Sequence, residues 1–251
     1  MKGKSTSHKN RELIRLGPWS EDQLDRLIRE AAEIKDVGER IDFLSRQFLD
    51  AGYREKTLVG DVETEEMFVV DLAGIDCFTF VDYVEALRCS RSFAEFMDNL
   101  RNIRYRSGNV AFRERNHFFT DWREFNRNLV VDVTEQIGSG KTKTAKKLLN
   151  AKGDGMAYVP GVPPRERIIG YIPSCAIDDA IIAQLKTGDY IGIYSELPGI
   201  DVSHVGILVN YSGKTSLRHA SSSAGCRKVV DQDFAWYIAQ KPGIIVLRPF
   251  G

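Results

Sequence analysis

The sequence has few cysteines and histidines, no long hydrophobic run and no excess of charge. Four cysteines occur among 251 residues without a CxxC pair, which indicates free thiols rather than a disulfide framework or a zinc ribbon. The longest apolar runs, such as 243–247, fall well short of the roughly 20 residues that a membrane-spanning helix needs. The 35 basic residues balance 35 acidic ones, which argues against bulk nucleic-acid binding. The polar N-terminus lacks an apolar signal core, which predicts a cytoplasmic protein or one whose signal has been trimmed.

The length and composition predict one globular domain with a substantial core. Hydrophobic residues make up 43% of the chain and charged residues 28%, both near globular averages. We expect the single domain 1–251 to consist of a flexible leader 1–18, N-terminal helices 20–52, a cysteine-bearing helical part 67–103, an insertion 104–170 and a sheet with two histidines 171–251.

Helical spacing of apolar residues marks four segments in the first half of the chain. Capping boxes at Ser20 and Ser92 predict the starts of two helices, and Gly52 marks the end of another. Apolar residues from Phe80 to Leu87 keep helical spacing after a short predicted strand at 67–72, so Cys77 falls in the first turn of a helix.

Strand patterns dominate the last 65 residues. Five short segments rich in β-branched residues are separated by turn signals, at 189–194, 204–209, 216–220, 227–230 and 244–248. Helices followed by closely spaced strands indicate an α+β fold, with a helical layer packed on an antiparallel sheet.

The segment 104–170 lacks a clear period and is rich in aromatic and basic residues. Its second part, 141–170, contains seven Lys and Arg against two Asp and Glu, a local charge of +5. This composition favours an insertion that shapes a surface, and an equally simple interpretation is a solvated basic face without a ligand.

Cys77 and two histidines form a candidate catalytic group. A thiol at a helix start lies beside unpaired N–H groups and the positive end of the helix dipole, which predicts a lowered pKa, although a buried structural cysteine is the alternative. His204 and His219 lie on predicted strands 15 residues apart with a turn between them. If they face the same way, one imidazole can accept the thiol proton while the other orients it, although a strand histidine is often only a packed residue.

Four motifs together resemble the NlpC/P60 cysteine peptidases. The matching segments follow the family order: Asp76-Cys77-Phe78-Thr79-Phe80-Val81, Leu185-Lys186-Thr187-Gly188-Asp189, Ser203-His204-Val205-Gly206-Ile207 and Arg218-His219-Ala220-Ser221. The long gap between Cys77 and His204, together with the segment 116–122, resembles the DUF1460 branch, described as N-acetylmuramoyl-L-alanine amidase-like. The resemblance covers roughly residues 20 to 250.

The resemblance implies a papain-like α+β core, with N-terminal helices and a large insertion, that hydrolyses amide bonds of peptidoglycan or its fragments without a metal or other cofactor. Cys77 would be the nucleophile, His204 the general base and then acid, and His219 the residue that orients His204. The backbone N–H of Cys77 would stabilise the oxyanion.

The resemblance leaves two hypotheses for which amide bond of the peptidoglycan is cut. The DUF1460 branch implies cleavage between N-acetylmuramic acid and L-alanine. In relatives that cut after D-glutamate, residues at the positions of Asp76 and Ser203 hold a free amine, which favours a γ-D-glutamyl endopeptidase. A non-catalytic wall-fragment binder and an acyltransferase of the same fold are further alternatives, and a glycosidase would need two carboxylates across a cleft.

The insertion offers candidate substrate contacts, because sugar faces stack on aromatic rings and stem-peptide carboxylates suit arginine. His117, Trp122 and Arg115 are the residues we select, and the alternative is that such side chains form a small local core. Because the expected partner is peptidoglycan or a muropeptide, we expect a periplasmic or envelope protein, with a cytoplasmic recycling role as the alternative.

Overall fold

The computed structural model describes residues 12–251. Residues 1–11, which include His8 and most of the predicted leader, lie outside the described residues. The rest of the predicted leader is not irregular, because residues 12–15 form a strand that pairs in parallel with the strand before Cys77. This pairing satisfies the backbone groups on one edge of the strand, and the short segment did not indicate it.

Eight α-helices lie within the described residues: α1 Glu21–Glu33, α2 Val37–Arg46, α3 Cys77–Arg88, α4 Phe93–Arg104, α5 Phe119–Phe125, α6 Thr134–Gly138, α7 Asp179–Ile182 and α8 Phe234–Ile238. The capping boxes explain the predicted starts. The Ser20 side chain accepts from the Gln23 backbone N–H, and Gln23 accepts from the Ser20 N–H in return. Predicted helices at 20–32, 77–87 and 92–103 are therefore observed within two residues.

Ten strands occur in the same region: β1 Glu12–Arg15, β2 Phe68–Asp71, β3 Val130–Asp132, β4 Lys143–Leu149, β5 Arg165–Pro173, β6 Tyr190–Tyr194, β7 Val202–Tyr211, β8 Lys214–Ala220, β9 Val229–Asp233 and β10 Gly243–Pro249. The main sheet has the order β4-β5-β10-β6-β7-β8-β9, with β3 paired to β10, and its pairs are antiparallel. The fold is therefore a mixed α and β structure with an antiparallel sheet.

Both faces of the sheet are covered. Alternate residues of β7, such as Val205 and Ile207, join the core formed with α1 to α5, whereas Leu208 faces a second core beneath α6, α7 and α8. Helix α3 packs on β7 and β8 from the first side, and α8 packs on β8 and β9 from the second. The start of β7 thus lies between the long helix α3 and the short helix α8.

The segment 104–170 is more regular than its sequence indicates. It contains α5, β3, α6, β4 and the start of β5, and the β4–β5 hairpin extends the main sheet through β10. The mixed polar and apolar pattern of this hairpin hid its strands, because it lies at the sheet edge with one face open to solvent; Ile168 is 75% exposed. Among residues 12–251, no helix combines the length and apolar character required to cross a membrane.

Candidate active site

Helix α3 begins at Cys77 because Asp76 caps it. The Asp76 Oδ1 atom accepts hydrogen bonds from the backbone N–H groups of Phe78, at 3.0 Å, and Thr79, at 2.7 Å. The Thr79 hydroxyl accepts in return from the Asp76 N–H at 3.0 Å. This reciprocal cap fixes Cys77 as the first helical residue, a position whose N–H has no partner within the helix.

The sulfur of Cys77 lies where β7 and β8 stop pairing. The ladder between these strands ends at Ile207↔Arg218, so β8 leaves the Val205 N–H free. That N–H lies close enough to the Cys77 sulfur to lower the pKa of the thiol. The thiol is therefore held beside the residue that directly follows His204.

His204 and His219 meet across the same two strands. The Nε2 atom of His204 lies 2.7 Å from the Nδ1 atom of His219, and the two rings are nearly perpendicular. Gly206 makes this approach feasible, since a Cβ at that position would stand 3.0 Å from the Cβ of His219 and 2.8 Å from a Leu217 methyl group. The strands thus place both imidazoles on one side of the sheet.

Gln232 of β9 completes a hydrogen-bonded chain. Its Oε1 atom lies 2.6 Å from His219 Nε2, and an amide oxygen only accepts, so His219 Nε2 carries the proton. The Nδ1 atom of His219 is then an acceptor, and His204 Nε2–H donates to it. This order leaves the His204 Nδ1 lone pair free to accept a proton.

Burial keeps the thiol and the imidazole neutral. Desolvation and then the Asp76 charge raise the pKa of Cys77 to about 12, outweighing the N–H groups that donate to the sulfur. Desolvation and then the neighbouring His219 lower the pKa of His204 to about 3. The prediction of a lowered cysteine pKa is therefore wrong, because the cost of burying the thiolate exceeds its stabilisation by the helix start.

A cleft of about 380 Å³ opens beside the two histidines. Its walls include Ser203, which is exposed and forms a bulge between β6 and β7, and the Tyr237 ring of α8. The Tyr237 ring centroid lies 5.0 Å from that of His219 and 6.3 Å from that of His204. Burial and the nearby Cys77 raise the pKa of Tyr237 to about 12, so the phenol stays protonated.

Three predicted substrate contacts are engaged elsewhere. Trp122 is fully buried and donates from Nε1 to Asp82 Oδ1 at 2.9 Å, so its ring cannot stack on a sugar. Arg115 pairs with the buried Glu66 carboxylate, its Nε atom 3.0 Å from Oε1. None of the three selected residues lines the histidine cleft.

His117 is held inside its own segment. Its Nε2 atom lies 2.8 Å from the Phe112 carbonyl oxygen, and the Phe112 ring stands 4.9 Å away. Burial lowers the pKa of His117 to about 4, so this imidazole is neutral near pH 7. The alternative of a small local core therefore describes Trp122, Arg115 and His117 better than substrate binding does.

Asp76 and Ser203 retain free polar atoms. Among residues 12–251, the Asp76 Oδ2 atom has no hydrogen-bond partner, since Oδ1 alone makes the helix cap. The Ser203 hydroxyl makes one long contact, 3.5 Å to the Ile193 carbonyl oxygen. Both side chains thus keep the capacity to bind a polar ligand.

Gln232 and Tyr237 are site residues that the sequence analysis missed. The predicted strand 227–230 stops before Gln232, whereas β9 continues to Asp233 and carries Gln232 beside His219. Val230 lies opposite His219 on the neighbouring strand, and residues two apart on a strand share a face. A predicted strand longer by two residues would therefore have placed Gln232 on the face of His219. Helix α8 has only five residues, too few for a clear helical period.

Other chemistry near the site is limited. Within the described chain, no group of three or more His, Cys, Asp or Glu side chains is arranged to hold a metal ion. The four cysteines, all in that part, are free thiols.

The fold and site define a mixed α/β protein with a helix-borne cysteine beside two strand histidines. A family model described as AmiA-like, N-acetylmuramoyl-L-alanine amidase-like, matches residues 43–244. The chain belongs to this AmiA-like family. The family implies a cell-wall substrate and suggests an enzyme.

Solved structures of similar fold agree with this assignment. A crystal structure of an N-acetylmuramoyl-L-alanine amidase from Bacteroides uniformis ATCC 8492 is 28% identical, with a TM-score of 0.71, over 86% of this chain and 99% of that one. Protein LPG0564 from Legionella pneumophila str. Philadelphia 1, of family DUF1460, shares the fold at a TM-score of 0.77 and 21% identity, over 92% of this chain and 96% of its own.

A protein from Bacteroides fragilis, provisionally named a xylanase, is 26% identical with a TM-score of 0.66 and covers 81% of this chain and 98% of its own. A search of curated proteins gave no match.

Proposed function

We propose that this protein is a cysteine amidase that hydrolyses the bond between N-acetylmuramic acid and L-alanine in peptidoglycan or its muropeptides. The observation that carries the proposal is the hydrogen-bonded order Gln232, His219, His204. It ends on an imidazole nitrogen that has no partner within residues 12–251 and belongs to the residue before Val205, whose N–H lies near the Cys77 sulfur. The family match supports the substrate class.

In the first half of the reaction, His204 Nδ1 accepts the Cys77 thiol proton as the sulfur attacks the lactyl carbonyl carbon. Because both groups are neutral at rest, proton transfer accompanies attack rather than preceding it. The His204 imidazolium is stabilised by its hydrogen bond to His219 Nδ1. The oxyanion lies at the helix start, where the Cys77 N–H has no helical partner.

The C–N bond then breaks as His204 returns the proton to the leaving alanine nitrogen. A thioester between the muramoyl acyl group and Cys77 remains. Water attacks this thioester with His204 as base, which releases the muramic acid carboxylate and restores the Cys77 thiol. Each step needs only a proton that passes through His204.

The same geometry supports a relationship to the NlpC/P60 superfamily with its papain-like core. In that plan, a helix begins with the nucleophile and packs on a sheet that carries the histidines, which matches α3 on β7 and β8. The arrangement of Asp76, Cys77, His204 and His219 supports this placement as a proposal.

A γ-D-glutamyl endopeptidase is the second candidate function, and one observation favours it. The Asp76 Oδ2 atom is without a partner in the described residues and lies one residue from the nucleophile, so it can bind an ammonium group. Because the muramoyl substrate has no free alanine amine, this atom has no assigned role in the amidase reaction. The family match nevertheless ranks the amidase first.

A defined muropeptide distinguishes these functions. The protein and its Cys77→Ala variant are incubated with N-acetylmuramoyl-L-Ala-γ-D-Glu-diaminopimelate, and products are identified by mass spectrometry. We expect an intact peptide beginning at L-alanine, released by the unmutated protein alone. The free tripeptide L-Ala-γ-D-Glu-diaminopimelate, which offers the amine that Asp76 would bind, is incubated in parallel. Release of diaminopimelate from this tripeptide would support the endopeptidase, and cleavage of either substrate by the Cys77→Ala variant would contradict cysteine catalysis.

Other functions of this fold have less support. A glycosidase needs two carboxylates across the bond, yet no Asp or Glu lines the histidine cleft in residues 12–251. An acyltransferase would give a muramoyl conjugate of an added amine in the same assay, and a binder would give no product.

We also propose a location in the periplasm or envelope, where polymeric peptidoglycan lies. The family's cell-wall substrate supports it, and a cytoplasmic role on recycled fragments is the alternative. Cell fractionation with an antibody against the native protein tests this: recovery in the cytoplasm would contradict an envelope location.

A further inference from the structure

The role of His204 as the acid for the leaving amine indicates which half of the substrate lies in the cleft beside the histidines. In an acyl-transfer reaction the acid that protonates the leaving nitrogen must touch it, and His204 has this role. The cleft of about 380 Å³ is lined by His204 and His219 and continues away from them along α8. The leaving amine, which is the peptide half of the substrate, therefore enters this cleft.

The cleft is positively charged. Lys241 lies in its wall together with serine and glutamine side chains, and no carboxylate of the described chain belongs to that wall. The Lys241 ammonium stands 5.1 Å from the Tyr237 ring centroid, within the range of a cation–π contact. Within residues 12–251, this ammonium has no ion pair and no hydrogen-bond partner, although Lys241 is half-buried.

Two arginines of the segment 104–170 already have partners and lie outside the cleft. Arg115 pairs with Glu66, and Arg167 contacts the buried Asp121, so these guanidinium groups already hold carboxylates of the protein. Lys241 differs because it lines the cleft and its ammonium has no ion pair within the described part of the chain. A cation in such a place binds an anionic group of the ligand more strongly than a solvated surface lysine does.

We propose that the cleft is the leaving-peptide subsite and that Lys241 binds a carboxylate of the stem peptide's D-glutamate. This inference rests on the proposed function, because that function makes L-alanyl-D-glutamate the leaving amine. The exposed Trp236 indole, which also lines the cleft, supplies an apolar surface for the peptide's methyl and methylene groups. Lys241 is thus a specificity-determining residue that selects for a free carboxylate.

A pair of substrates tests the inference. N-acetylmuramoyl-L-Ala-D-Glu and its diamide have nearly the same shape but differ in negative charge. We expect the unmutated protein to cleave the acid with a kcat/KM about tenfold higher than the diamide, since a charge-assisted hydrogen bond is lost with the carboxylate. Lys241→Met should bring this ratio close to one, and Lys241→Arg should largely preserve it.

Lys214→Met is the matched control, because Lys214 is exposed at the far end of β8 and should keep the full ratio. Binding of free L-Ala-D-Glu to the Cys77→Ala protein, measured by calorimetry, should weaken by a similar factor when Lys241→Met is added. Equal cleavage of acid and diamide by the unmutated protein, or a ratio unchanged in Lys241→Met, would overturn the Lys241 assignment alone. Cleavage of neither substrate would overturn the proposed function and this subsite with it.

Discussion

The histidine site, formed by the start of β7 with β8, β9 and α8, and the segment 104–170 carry similar side chains but use them differently. In the first region His204 and His219 lie beside Tyr237 and Lys241, and in the second His117 lies beside Phe112 and Arg115. In the segment 104–170 each selected polar group forms a hydrogen bond within the protein. Trp122 donates to Asp82, and Arg115 donates to Glu66. At β7 the hydrogen-bonded chain from Gln232 to His204 ends on a nitrogen that has no such partner within residues 12–251.

This difference separates stabilising polar groups from reactive ones. A buried polar group that is fully hydrogen-bonded contributes to stability and has no capacity left for a ligand. A chain of hydrogen bonds that stops at an open nitrogen orients that nitrogen and leaves it available. Residue type alone therefore does not identify the site, whereas the end point of each hydrogen-bond chain does.

The largest expected effect comes from exchanging one histidine in each region. His204→Ala should lower kcat/KM for the muropeptide by about 10⁴-fold, because the base and acid of the reaction are lost. His117→Ala, the matched control, should change it by less than about threefold, because His117 only contacts the Phe112 carbonyl and ring. Steady-state kinetics measures both values of kcat/KM. A comparable loss in the two variants would contradict the assignment of His204 to catalysis and His117 to structure.

The neutral resting state of the thiol predicts its alkylation behaviour. With the Cys77 pKa raised to about 12 and that of His204 lowered to about 3, the thiolate fraction grows tenfold with each pH unit. The rate of Cys77 labelling by iodoacetamide should therefore rise by about 10³-fold from pH 6 to pH 9. A plateau across this range that vanishes in His204→Ala would show a preformed ion pair instead.

The two supporting residues should have graded effects. His219→Ala should lower kcat by about 10²-fold, and Gln232→Leu by about tenfold, because each is one hydrogen bond further from the reacting atoms. Gln232 is a positioning residue, so Gln232→Glu, which keeps an oxygen acceptor for His219 Nε2–H, should retain most of the activity. A KM effect without a kcat effect would assign Gln232 to substrate binding.

The smallest effect on activity is expected in the segment 104–170. Trp122→Phe removes the donor to Asp82 Oδ1 and should reduce the free energy of unfolding by about 1–3 kcal/mol, because a buried carboxylate oxygen loses its partner. Urea denaturation measures this change. Activity of the folded variant should stay within about twofold, and a large loss of kcat with unchanged stability would restore a catalytic role for Trp122.

The sequence predicted the parts of the site that depend on local patterns. A helical period after a short strand placed Cys77 in the first turn of a helix, and two strand patterns joined by a turn placed His204 and His219 on adjacent strands. The family match supports the predicted amidase class. The roles of these three residues stay predictions that the kinetic experiments test.

Features that depend on distant parts of the chain were not predictable. The Cys77 pKa is raised because tertiary contacts bury the thiol, and a position at a helix start does not reveal this burial. The partners of Trp122 and Arg115, Asp82 and Glu66, lie about 40 and 49 residues away in sequence. Clusters of aromatic and basic residues therefore looked like a binding surface although they form internal contacts.

The central claim is that Cys77 carries the muramoyl group during the reaction, and the mass of the covalent intermediate tests it directly. The protein is mixed with N-acetylmuramoyl-L-Ala-γ-D-Glu-diaminopimelate, quenched in acid within the first turnover and examined by intact-protein and peptide mass spectrometry. We predict an N-acetylmuramoyl adduct on Cys77, without alanine. An adduct that retains L-alanine and D-glutamate, or product formation with unmodified Cys77 throughout, would contradict the account.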